Sequence, residues 1–61
     1  MNNQELWLKV TRSDGVRILV NFAQVIAIFP HDNGPLTVLM TAAGNILIEE
    51  NIGFIQANIA I

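Results

Sequence analysis

Short runs in which apolar side chains alternate with others, each stopped by a turn signal, fill most of this 61-residue chain. Alternation with a period of two places successive side chains on opposite sides of an extended backbone, so each run reads as a strand with two distinct faces. Residues 5–12 (ELWLKVTR) make the first strand, with Leu6, Leu8 and Val10 on one face and Glu5, Trp7, Lys9 and Thr11 on the other. Ser13-Asp14-Gly15 is a hairpin connection, because glycine takes the positive φ such turns need. Residues 16–20 return as the second strand, with Val16, Ile18 and Val20 opposite Arg17 and Leu19.

The alternation stops at residues 21–24. Asn21 is a good N-cap, Gln24 follows three residues later, and Val20 and Val25 flank the segment at hydrophobic-staple positions. A single helical or 3₁₀ turn is expected there, offsetting the third strand (residues 25–29) from the second. Pro30 cannot donate to a ladder, so it closes that strand or sits at a sheet edge. His31-Asp32-Asn33-Gly34-Pro35 is a loop, residues 36–42 the fourth strand, Ala43-Gly44 a turn, and residues 45–49 the fifth strand. Asn51 is then the expected N-cap of a C-terminal helix over residues 52–60, with Ile52, Ile55 and Ile59 at helical spacing, Phe54 as a further candidate for that apolar stripe, and Gly53 as a weak point. Glu49 and Glu50 precede it, where the helix dipole favours negative charge. The pattern predicts a mainly β (α+β) fold: a small antiparallel five-stranded β-meander, strongly twisted or barrel-like, with a short C-terminal helix. Residues 1–61 form a single domain.

Two apolar sets emerge from this arrangement. Leu6/Leu8/Val10, Val16/Ile18/Val20, Ile26/Ile28, Val38/Met40 and Ile46/Ile48 are expected to make the core face. Trp7, Leu19, Phe29, Leu39 and Leu47 lie opposite, where a wet sheet would carry polar residues. The composition sharpens the point, with 52% of residues apolar and 13% charged and a mean hydropathy of +0.49. A single core of this size supplies only about 3–5 kcal/mol, and small domains usually add disulfides, a metal or a partner. With no cysteine, neither a disulfide framework nor a Cys-based zinc site can form. Association is what remains: a homo-oligomer is expected, a two-fold dimer being the favoured form, with Trp7, Leu19, Phe29, Leu39 and Leu47 as its contacts. A further, unidentified protein partner would use the same face.

Chemistry finds little to work with. His31 is the sole histidine, and with Asp32 it offers two ligands where zinc wants three or four. Glu49 and Glu50 are adjacent, so in a strand they point to opposite sides. Ser13 sits in a turn with no convergent base, and the glycines at 15, 34, 44 and 53 have neither phosphate-loop nor dinucleotide spacing. No enzyme activity, cofactor or metal is expected. The formal charge is −2, and only Lys9, Arg12 and Arg17 are cationic. Phosphate-backbone binding rests on clustered cations, so nucleic acid is a minor alternative that would need an oligomer pooling those three residues. A small-ligand cavity lined by Trp7 and Phe29 is another. No apolar run approaches the roughly 20 residues of a membrane span, and the N-terminus lacks a signal-peptide pattern. A cytoplasmic protein is expected.

The stretches LKVTRSDGVRILVNFAQVIAI and LTVLMTAAGNILIEENIGFIQANI resemble the FlbD-type small flagellar and swarming motility proteins across about residues 6–59. That family's pattern runs from an Ile/Leu-x-Leu-Thr-Arg opening through a polar-Gly turn, a strand ending in Asn, an Ile-x-x-Ile segment and a Thr-x-Ile-x-Leu strand to a Glu-bearing helix start. Val10-Thr11-Arg12, Gly15, Asn21, Val25, Ile28, Thr37, Leu39, Gly44, Glu50 and Ile55 fall into those slots, while the loop at residues 30–35 departs from the family's Pro-Asp-Thr. The resemblance implies a small non-enzymatic regulatory or accessory protein. VNFAQVIAI, followed by two strands and a helix, is also similar to part of LytTR-type DNA-binding domains, which are longer and carry basic loops.

Overall fold

A computed structural model describes residues 6–32 and 34–59. Glu5, Asn33 and Ala60, assigned above to the first strand, the loop and the helix, lie outside the described residues. Five antiparallel strands form two sheets, followed by one short helix: β1 (Trp7–Thr11), β2 (Arg17–Asn21), β3 (Val25–Pro30), β4 (Thr37–Thr41), β5 (Gly44–Ile48) and α1 (Ile52–Asn58). The expected turn between β2 and β3 is a 3₁₀ turn, Phe22–Gln24, capped by the Asn21 side chain accepting from the Ala23 N–H at 3.0 Å.

The β1–β2 connection follows from its residues. The Arg12 carbonyl accepts from the Gly15 N–H (2.8 Å), the Asp14 carboxylate accepts from the Val16 N–H (3.2 Å), and Gly15 adopts φ +93°, a region where a Cβ is strained. Helix α1 starts as its N-cap predicts, the Asn51 side chain accepting from the Phe54 N–H at 2.7 Å.

The strands do not run as one uninterrupted meander. β1 pairs with β2, and β3, β4 and β5 pair in order, but β2 and β3 do not pair. The 3₁₀ turn separates them, because three residues in that conformation carry the chain away from the β2 edge. The sheets meet at the opposite end instead. Arg12 bridges Ile48, the Ser13 N–H donates to the Leu47 carbonyl (2.9 Å), and the Glu49 N–H donates to the Thr11 carbonyl (2.8 Å). The arrangement is not a closed barrel: β2 and β3 each keep one edge without a strand partner among the described residues.

The core between the sheets and α1 consists of Val10, Val20, Phe22, Leu39, Ile48, Ile55 and Ile59, with Leu6, Leu8, Ile18, Val25, Ile28 and Ile46 packed against it. The inward sets of β1, β2 and β5 are those the alternation gives, except that Val16 precedes β2 and stays exposed. β4 is the reverse of the expectation. Leu39, expected on the second face, is fully buried (0% exposed) in the core, and Val38 and Met40 occupy the other face. Thr37 and Thr41 flank Leu39 on its own face and suggested an outward orientation. Thr37 instead enters the interior by donating its hydroxyl to the Glu50 carbonyl at 2.7 Å, and a buried hydroxyl with a partner costs little. The Thr41 hydroxyl is likewise satisfied, donating to the Gly44 carbonyl (2.7 Å).

β3 holds a second departure. Its register with β4 shifts between Val25 and Ala27, an irregularity of the bulge type that leaves the intervening residue unpaired. Ile26, expected in the core, stands 67% exposed.

Candidate interaction surface

The outer face of the β1–β2 hairpin gathers both kinds of residue singled out in the sequence. The register Trp7↔Asn21, Lys9↔Leu19 and Thr11↔Arg17 places these six side chains on one side, opposite the buried Val10 and Val20. Trp7 is 49% and Leu19 61% exposed, with the Lys9 ammonium and the Arg17 guanidinium beside them. Arg12 lies at the turn, its guanidinium donating two hydrogen bonds to Asp14 (3.0 and 2.8 Å). That bond, reinforced by charge attraction, raises the Arg12 pKa and lowers that of Asp14.

The reverse face of the β3–β5 sheet is different in kind. The pairs Phe29↔Val38, Val38↔Leu47, Ala27↔Met40 and Met40↔Asn45 line it with apolar side chains, Asn45 being its sole polar member among these. Phe29 and Leu47 therefore sit together as expected, joined by Val38 and Met40 and not by Leu39. Val38, at the centre, is buried although it belongs to no part of the core between the layers. Phe29 remains 37% exposed. The five expected contacts are thus divided: Trp7 and Leu19 on the hairpin, Phe29 and Leu47 on the three-stranded sheet, Leu39 inside.

A groove of about 320 Å³ opens where β3, the 3₁₀ turn and α1 meet, lined by Leu6, Phe22, Ile26, Ile28, Ile52 and Ile55 among others. Among the described residues, Gln56 is the one polar side chain on its wall. Neither Trp7 nor Phe29, the pair expected to line a ligand cavity, is on its wall. Ile26 and the exposed Phe54 of α1 were not singled out as surface residues. Nothing in VIAIFP announces the bulge that turns Ile26 outward.

Glu50 is a carboxylate that joins elements far apart in the chain. Its two oxygens accept from the Thr11 N–H (2.8 Å) and the Thr11 hydroxyl (2.9 Å), tying β1 to the start of α1. Partial burial pushes the Glu50 carboxyl up; the Thr11 bonds, its own backbone N–H and the Arg17 charge outweigh this and hold it below its ordinary value. With both oxygens engaged by structure, Glu50 works as a brace. Among the described residues no three His, Cys, Asp or Glu side chains converge as metal ligands, and no helix is long and apolar enough to cross a membrane.

No protein-family model, curated protein or solved structure matches the chain.

Proposed function

We propose that this protein is a small non-enzymatic, cytoplasmic interaction module that works as a homo-oligomer, a dimer in its simplest form, in a regulatory or accessory role. One observation carries the reading: Trp7, Leu19, Ile26, Phe29 and Phe54 stay substantially exposed on a chain whose core holds only a handful of fully buried side chains. Exposed large apolar side chains in this number on a small domain favour association, and a chain this short gains from sharing a core. The likeness to FlbD-type motility proteins supports the regulatory part.

Sedimentation velocity across a hundredfold range of protein concentration tests it. A dimer or larger species at micromolar concentration is expected, and a monomer throughout the range would overturn the reading. Nucleic-acid binding is the second reading, favoured by one fact: Lys9, Arg12 and Arg17 all belong to the β1–β2 hairpin, with Trp7 on the same outer face as Lys9 and Arg17. A shift with single- or double-stranded DNA or RNA that weakens steeply with salt would support it; the first reading expects none.

A further inference from the structure

We draw no further inference here: the strongest candidate, the apolar groove between β3, the 3₁₀ turn and α1 with Ile26 and Gln56 on its wall, carries nothing because nothing in the structure shows what covers it.

Discussion

The two sheets of this molecule handle their outer faces in opposite ways. The β1–β2 hairpin places Lys9, Thr11, Arg17 and Asn21 on its solvent side, around Trp7 and Leu19. The strands of the β3–β5 sheet contain no charged residue, and their reverse face is apolar around the buried Val38. A hairpin with one wet face is complete when its other face is covered by the core. A sheet that is apolar on both sides is complete only when something lies against its second side or along its edge. The difference places the uncharged, two-sided apolar sheet in the C-terminal two-thirds, while the N-terminal hairpin keeps Trp7 and Leu19 exposed among polar neighbours.

Several substitutions probe that contrast. The largest effect is expected at Leu39, fully buried in the core: Leu39→Ala should cost about 2–5 kcal/mol, enough to unfold much of the population of a domain this small. Leu47→Ala, on the partly open reverse face, should cost less than half as much in urea unfolding. Equal losses would mean that the reverse face is covered as fully as the core, and the contrast would fail.

Next comes the brace between the sheets. Glu50→Ala leaves the Thr11 N–H and hydroxyl without their acceptor and should cost about 1–3 kcal/mol. The same carboxylate sets part of the acid response. Its folded pKa is depressed below the ordinary value of 4.5, so the stability it contributes is present above that value and lost as pH falls through the lower folded pKa. Unfolding midpoints measured from pH 6 to pH 2.5 should therefore fall less steeply in Glu50→Gln than in the natural chain. An unchanged slope would deny the carboxylate this role.

The hairpin turn supplies the smallest changes. Arg12 and Asp14 pair in the open, about half exposed, and exposed ion pairs contribute little. Arg12→Ala should leave the thermal midpoint essentially unmoved. Asp14→Ala should lower it detectably, because Asp14 also accepts from the Val16 N–H that closes the turn. If both behave alike, the turn depends on the ion pair and not on that backbone bond.

Local chemistry was legible in the chain wherever neighbouring residues settle the matter. Asn21 and Asn51 cap their turns through contacts two or three residues away, and Gly15 sits where a positive φ is needed. The alternation in β1, β2 and β5 identifies which side chains share a face, because the period of an extended backbone needs no tertiary information. The same rule set Trp7, Leu19, Phe29 and Leu47 opposite the core face as one group, and the division into two sheets separates the first two from the last two.

The orientation of β4 was decided elsewhere. Its alternation set Leu39 between two threonines against the wholly apolar Val38 and Met40, yet Leu39 turns inward with Thr37, whose hydroxyl donates to the carbonyl of Glu50, thirteen residues along the chain. The exposure of Ile26 depends on a register shift against β4, the division into two sheets on where the 3₁₀ turn sends the chain, and the role of Glu50 on Thr11, thirty-nine residues away. Periodicity and capping are properties of adjacent residues and are written in their order. Which face turns inward, and which edge stays open, depends on partners distant in sequence, and only the folded chain brings those together.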